Sequence, residues 1–241
     1  MNVLFVGYRK WAYQICKNLI LYKSKNWKIT AIITTDAKEA DFSKLSLPVT
    51  VLNDSKKLTI KIIKKYKPRV LLFYGWSWLI PSEIYESYPC LILHTSPLPK
   101  YRGGSPIQHQ IIAVETYSAA TIFQADGGID TGNIYSQTRF SLSGLLDGIF
   151  KQLVKVGIRD TIKVLDGIAN HTLFPKPQDH TKATTFKRRK PHDSELTVND
   201  FQTKTAKQLY DFIRALGDPY PNAYIQCKDG KLFFTGARLE K

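Results

Sequence analysis

Over its first hundred residues the chain alternates short, fully apolar runs with stretches of helical period, and that alternation restricts the fold more than any other feature. Residues 2–7 (NVLFVG) form a β-branched run ending in glycine, and Trp11, Ile15 and Leu19 then recur at helical spacing. Residues 28–34 and 48–52 read as further strands, and Ser55 caps a helix reaching Tyr66 whose lysines cover its wet face. Residues 69–75 and 90–94 are again apolar strands, ending at Gly75 and His94. Strands that are apolar on both faces need helices on both sides of a mostly parallel sheet. The expected class is α/β with a Rossmann-like sheet.

Farther along, residues 118–125 and 133–139 read as strands around a Gly/Asp turn, and 145–169 as one long helix whose continuity Gly148 and Gly157 weaken. After Pro175 and Pro177 the texture changes to a basic run, Lys187 to Lys190, a short helix near 204–215, and strands at 223–227 and 231–236. Asp229-Gly230 between those strands is a two-residue hairpin signal. The expected division is a catalytic domain over 1–180 and a small α+β appendage with a β-hairpin over 181–241.

Composition narrows the classes. With 241 residues and 43% hydrophobic content the chain can build one core or two without staples. Cys16, Cys90 and Cys227 lie too far apart for a disulfide framework or a paired-cysteine zinc site, and no other metal ligand set is visible. No run reaches the roughly 20 apolar residues that span a bilayer, so the expectation is a cytoplasmic protein with no membrane partner. A formal net charge of +15 favours polyanions: nucleic acid, nucleotides, an acidic membrane surface or polyglutamate tails.

In an open α/β sheet, ligands sit beyond the carboxyl ends of the strands. After the first strand come Arg9, Lys10 and Trp11, without the glycine spacing of a dinucleotide loop. They read equally as a phosphate seat at a helix start or as solvated turn residues beside a core indole. Gly75-Trp76-Ser77-Trp78-Leu79-Ile80-Pro81 reads as a wall for a flat heterocycle or as packing at the sheet edge, and packing is the simpler reading. His94 is the most informative. It ends a buried strand and precedes a proline-stiffened segment with Gly103-Gly104 for close backbone approach and Ser105-Pro106 opening a helix. Asp126-Gly-Gly-Ile-Asp130-Thr-Gly132 supplies carboxylates on a tight turn, suited to fixing an imidazole's tautomer.

Taken together these segments resemble the folate-dependent formyltransferase family. His94-Thr-Ser-Pro-Leu-Pro-Lys-Tyr-Arg-Gly-Gly-Ser-Pro106 is similar to its H-P-S-x-L-P-x-Y-R-G-x-x-P segment, and Asp126 to Gly132 resembles its D-x-G-[IL]-D-T-G segment. Residues 213–224 resemble its I-R-A-x-x-D-P-x-P-G-A segment. The loops at 7–12 and 73–81 look most like those of bacterial sugar N-formyltransferases.

The resemblance implies the formyltransferase fold, 10-formyltetrahydrofolate as donor, and the amine of a nucleotide-linked 4-amino-4,6-dideoxy sugar, commonly dTDP-linked, as acceptor on the route to O-antigen-type polysaccharide. It implies a homodimer, and the length of the chain adds the expectation of no nucleic-acid partner. His94 accepts or relays the amine proton and Asp130 orients and supports it. Trp78, Leu79 and Ile80, with Asp126, Gly127 and Gly128, hold the pterin. Arg9, Lys10, Arg102, Arg188, Arg189 and Lys190 serve the pyrophosphate, and Trp11 or Tyr220 stacks on the base, while Ser96, Gly103, Gly104, Ser105 and Gln108 complete the acceptor site.

One position departs from the family. The asparagine that helps bind the oxyanion two residues before the histidine is here Ile92, which has no donor. Gln108, His109, Ser96 or backbone N–H groups are the candidate replacements. Methionyl-tRNA formyltransferase is the competing enzyme, but that family carries a larger C-terminal RNA-contact domain, for which residues 181–241 leave little room; a purine-pathway formyltransferase comes third. A basic RNA-binding module on the same scaffold is the competing non-enzyme. Residues 181–241 carry 12 Lys and Arg against 7 Asp and Glu, so the positive charge is spread rather than gathered in a tail.

Overall fold

The first strand, β1 (Asn2–Val6), is buried from Val3 onward, and α1 (Lys10–Leu21) lays Ala12, Ile15, Cys16 and Leu19 against the sheet. The computed structural model describes residues 1–36 and 39–240. The chain continues through β2 (Lys28–Thr35), β3 (Val49–Leu52), α2 (Ile60–Lys64), β4 (Val70–Tyr74), α3 (Ser82–Ser87) and β5 (Cys90–His94). These five strands pair in parallel in the order β3-β2-β1-β4-β5. The mostly parallel α/β sheet expected from the apolar runs is present.

A two-residue strand, β6 (Arg102–Gly103), and α4 (Pro106–Ile112) lead to β7 (Tyr117–Gln124) and β8 (Ile134–Ser141), which extend the same sheet in antiparallel fashion. The pairing Phe73↔Ile92↔Phe123 runs across β4, β5 and β7, and His94 lies opposite Thr121. Residues 92 and 94 therefore share one face of the pleat. Two apolar clusters cover the two faces: one contains α1 and α5 (Leu146–Ala169), the other contains Ile63 of α2 and Ile84 of α3.

Helix α5 is continuous despite its two glycines. Gly157 is where α5 meets α1 and β5: a Cβ there would stand 2.8 Å from Ile15 Cδ1 and 3.0 Å from Leu93 Cδ1, so its absence permits the approach. The helix expected over 55–66 is not one helix. Asp54, not Ser55, caps a single 3-10 turn at 55–57, Leu58 turns inward, and α2 starts afresh at Ile60, whose N–H donates to Glu83 Oε1.

Behind β8 and α5 come β9 (Thr185–Phe186), α6 (Val198–Thr203), α7 (Ala206–Ala215), β10 (Ala223–Gln226) and β11 (Lys231–Phe234). The sequence reading missed α6, whose capping box joins Thr197 and Asp200. The hairpin exists, but its ladder closes between Cys227 N–H and the Gly230 carbonyl, so Lys228 and Asp229 form the turn rather than Asp229 and Gly230.

Two devices tie the last sixty residues to what precedes them. Strand β9 pairs in parallel with β6, with Arg102 N–H donating to the Thr184 carbonyl and Gly104 N–H to that of Phe186. On α7, the buried Arg214 donates through Nη1 to the carbonyls of Leu142 and Gly144, both at 2.7 Å, while Asp211 Oδ1 accepts its Nε at 2.6 Å. A buried guanidinium so fully partnered fixes α7 on the sheet domain.

Candidate active site

Three parallel strands end at one cavity of about 1030 Å³: β1 contributes Arg9, β4 contributes Gly75 to Ile80, and β5 contributes Ile92 to Thr95. His94 is almost enclosed, at 8% exposure. Its Nε2 lies 2.9 Å from the Tyr101 carbonyl, which can only accept, so Nε2 carries the proton and Nδ1 is the basic nitrogen of the neutral ring. Nδ1 stands 3.5 Å from Asp130 Oδ2.

Asp130 arrives by an indirect route. Ala125 N–H donates to the carbonyl of Cys90, at the start of β5, and the turn that follows travels the length of the strand to bring Asp130 beside His94 at its end. Gly103 N–H donates to Asp130 Oδ2 at 2.7 Å and anchors the carboxylate. Asp126, the other acid of the turn, spends Oδ1 on Gly128 N–H and the Thr131 hydroxyl. Backbone strain gathers here: Tyr101, Ser105 and Asp130 all hold left-handed φ values of 58°, 54° and 55°. Residues held in this region cluster at functional sites when the surrounding structure enforces them.

One side of the cavity is a slot between the loop Trp76 to Ile80 and the turn Asp126 to Ile129. Trp76 and Trp78 meet edge to face at 4.9 Å, Trp78 packs on Tyr8, and the Tyr8 hydroxyl donates to Ser77 Oγ. With Asp126 occupied by its own turn, the slot offers aromatic faces, Leu79, Ile80 and backbone amide groups. That combination suits a flat heterocycle with donors and acceptors on its edge, and in this respect the residues fit a pterin.

The other side is cationic and aromatic. Arg9, which pairs with Glu39, lines the cavity together with Trp11, Phe150, Tyr220, Arg188 and Arg189. The Tyr220 and Phe150 rings stack at 6.4 Å. Burial pushes the Tyr220 phenol up, against the pull of the Arg9 charge. Gln108 is 3% exposed, and its Nε2 has no partner among the described residues. Burial also lowers Arg189, whose Nε is likewise unpartnered. Arg188 Nη2 reaches across to the Ser77 carbonyl at 3.2 Å, so the basic run spans from one side of the cavity to the other.

The structure thus brings together Arg9, Trp11, Trp78, Leu79, Ile80, His94, Gly103, Gly104, Ser105, Gln108, Asp126, Gly127, Gly128, Asp130, Arg188, Arg189 and Tyr220. Four expected residues are elsewhere. Lys10 is exposed and acts on Asp147 at the start of α5. Arg102 is buried and donates to Gln178 Oε1 at 2.6 Å, with His180 Nδ1 at 3.2 Å, so it clamps the chain behind the site rather than facing a phosphate. The Ser96 hydroxyl is consumed by the carbonyls of Lys100 and Tyr101. Lys190 is exposed, its backbone held by Asp193, and its side chain lies outside the cavity.

Ile92 lines the cavity on the same face as His94 and presents only methyl and methylene groups. Of the three side chains expected to replace its missing donor, Ser96 is spent. His109 faces the Lys187 carbonyl and the Phe186 ring outside the cavity. Gln108 alone keeps a free N–H there. Phe150, Lys187, Pro219 and Pro221 also line the cavity and were not anticipated. Pro219 and Pro221 flank Tyr220, and that proline-tyrosine-proline run was the one local signal available. No cluster of metal-ligating side chains occurs among the described residues, and none of their helices is long and apolar enough to cross a membrane.

Comparison with known proteins agrees with this geometry. Residues 3–143 match the family profile described as formyl transferase, and residues 191–241 match one described as the C-terminal domain of methionyl-tRNA formyltransferase. The methionyl-tRNA formyltransferase of Sulfurihydrogenibium sp. (strain YO3AOP1) is 28% identical over 99% of this chain and 80% of its own length. The solved methionyl-tRNA formyltransferase from Clostridium thermocellum superposes with a TM-score of 0.79 at 28% identity, over 100% of this chain and 94% of that one. A 4-N formyltransferase from Francisella tularensis shares the fold at 22% identity with a TM-score of 0.79, over 100% and 98%. With the profile covering most of the sheet and every strand end that meets at the cavity, the chain belongs to the formyl transferase family, enzymes whose formyl donor is 10-formyltetrahydrofolate.

Proposed function

We propose that this protein formylates the amine of a nucleotide-linked amino sugar, of the dTDP-4-amino-4,6-dideoxy type, in the cytoplasmic stage of surface-polysaccharide synthesis. The observation that carries the reading is a single cavity joining the His94 and Asp130 pair to a recess walled by Arg9, Arg188 and Arg189 on one hand and Trp11, Phe150 and Tyr220 on the other. Guanidinium forks suit a diphosphate and aromatic rings suit a base.

Bound in the slot at Trp78 to Ile80 and Asp126 to Gly128, 10-formyltetrahydrofolate supplies the formyl carbon. The rest falls to the chain. Tyr101 holds the His94 ring by its Nε2–H, which leaves Nδ1 to take the proton that the attacking amine loses as its nitrogen bonds to the formyl carbon. Asp130 stabilises the imidazolium so formed, and the same proton passes to the folate nitrogen as its bond to that carbon breaks. Acid–base transfer of this kind contributes about 10²- to 10⁴-fold. Gln108 is the side chain left to donate to the charge developing on the formyl oxygen, a contact of roughly 2.7–4 kcal/mol in comparable sites.

Formylation of methionyl-tRNA is the second reading, favoured by the match of residues 191–241 and by the relatives that carry that name. Mass spectrometry of products from the pure protein, the formyl donor, a panel of 4-amino sugar nucleotides and charged initiator tRNA decides between them. A formylated sugar nucleotide is expected. Formylated tRNA with no sugar product would overturn the proposal in favour of the second reading.

A further inference from the structure

The cavity leaves most of the +15 charge unexplained. Its densest stretch is residues 54–69, where Lys56, Lys57, Lys61, Lys64, Lys65 and Lys67 face the single acid Asp54. All six lysines are exposed, and none of the ion pairs among the described residues includes one of them. Asp54 is occupied by the N–H of Lys56, and the nearby Glu83 by the N–H of Ile60. Lys61, Lys64 and Lys65 fall on one side of α2 by their spacing. Such a face repels itself and attracts a polyanion.

Its position selects the polyanion. The apolar side of α2, with Ile60 and Ile62, and Tyr66 just beyond it pack into the same cluster as Trp76, Ile80 and Tyr85 from the slot wall. Helix α3 links the two: Glu83 caps α2, and Tyr85, two residues on, lines the cavity. Lys61, next to the Glu83-capped start of α2, is therefore the lysine of this face nearest the slot, and Lys64 and Lys65 lie farther along the helix.

We infer that the exposed lysines of α2 bind the poly-γ-glutamate tail of the folate donor. The inference rests on the placement of the pterin in the slot. A flexible chain of carboxylates has no fixed geometry for a guanidinium fork to match, and mobile ammonium groups serve it as point charges. A nucleic-acid strand fits less well, because no exposed aromatic ring stands among these lysines: Tyr66 packs inward and its hydroxyl meets Thr50. A membrane surface also fits less well, since no large hydrophobic side chain is exposed between Leu52 and Ser77.

Calorimetric titration of tetrahydrofolate monoglutamate and pentaglutamate into the full-length protein at low salt tests the assignment, with K61Q/K64Q/K65Q and K61E/K64E/K65E beside the wild type. Three exposed contacts of a few-fold each give a preference of about tenfold for the pentaglutamate in the wild type. The preference should vanish in the glutamine variant, reverse in the glutamate variant and fade as salt rises. Monoglutamate affinity, unchanged throughout, reports that the variants are folded. Equal wild-type affinity for the two compounds overturns the tail site while leaving the slot reading intact, and so does a preference that survives in the glutamine variant. Failure of the wild type to bind either compound overturns the slot reading and the tail site together. Salt-sensitive binding of an RNA oligomer that the variants lose, with the two folates bound equally, assigns the surface to nucleic acid instead.

Discussion

Replacing Asp130 by asparagine removes a charge from the site with almost no change in shape. The carboxylate accepts Gly103 N–H at 2.7 Å and faces His94 Nδ1 at 3.5 Å. Asparagine can still accept from Gly103 through its carbonyl oxygen, so the loop should keep its course. What disappears is the attraction between carboxylate and imidazolium once His94 holds the amine proton. At 3.5 Å and an effective dielectric constant near 20 that attraction is about 5 kcal/mol. Partial charge transfer in the transition state realises only part of it, so kcat should fall about 10³-fold, near the middle of the usual acid–base range. Single-turnover formyl transfer, followed by mass spectrometry, measures the rate, and calorimetry with tetrahydrofolate measures ground-state binding. Tetrahydrofolate affinity should change by less than about threefold, because neither proton acceptance nor charge separation has begun. An Asp130→Asn protein that kept more than a tenth of wild-type kcat would refute the assigned partnership.

Four further outcomes follow from the same geometry. His94→Asn should abolish turnover with acceptor affinity nearly intact, and retention of more than a tenth of kcat would remove His94 from the mechanism. Arg188→Ala with Arg189→Ala should raise KM for the sugar nucleotide about tenfold or more, since a hydrogen bond to a charged group contributes about 1.5–3 kcal/mol; an effect confined to folate affinity would place the diphosphate elsewhere. In Gly103→Ala the new Cβ would meet the Phe186 carbonyl oxygen at 2.3 Å from a backbone at φ +90°, so β9 should separate from β6 and Tm should drop by several degrees; an unchanged Tm in calorimetry contradicts that packing. Asp200 is held down at about 2, first by the Thr197 backbone N–H and hydroxyl, below its usual 3.8. A depressed carboxyl stabilises the fold above its unfolded pKa and loses that contribution as pH falls through the folded value. Asp200→Asn should therefore lower Tm at pH 7 with the deficit closing between about pH 4 and pH 2, and a deficit that persists at pH 2 would mean that the cap acts through shape alone.

How much of the site was legible depends on whether a residue's role is local. His94 was readable because a histidine ending an apolar strand marks the carboxyl edge of a parallel sheet. Trp78, Leu79 and Ile80 follow β4 in the same way, but their residues alone favoured packing at the sheet edge, and their part in holding a pterin came from the family resemblance. The turn from Asp126 to Gly132 offered two candidate carboxylates, and the choice of Asp130 came from the similarity of its segment to a known family, since its turn begins beside Cys90 at the opposite end of β5 and must run the strand's length to meet the imidazole. Lys10, Arg102, Ser96 and Lys190 show the reverse. Each is the right residue type near the right strand end, and each is directed elsewhere by a partner distant in sequence or by its own turn: Asp147, Gln178, the Lys100 and Tyr101 carbonyls, and Asp193.

The sequence by itself determined the α/β class and the succession of strands and helices along the chain, because apolar period and glycine or proline punctuation are local properties that every packing of the chain must respect, and three motif segments carried the family resemblance. The break at Leu58 and the extra helix α6 escaped it, since capping partners such as Asp54 and Asp200 compete within two or three residues and the winner depends on which neighbour turns inward. Only the tertiary structure decided which cations reach the cavity, that Gln108 keeps a free N–H there, and that the basic run returns across the site through β9. Those outcomes turn on side-chain direction and on hydrogen bonds between residues tens of positions apart, which no local pattern encodes and which packing alone selects.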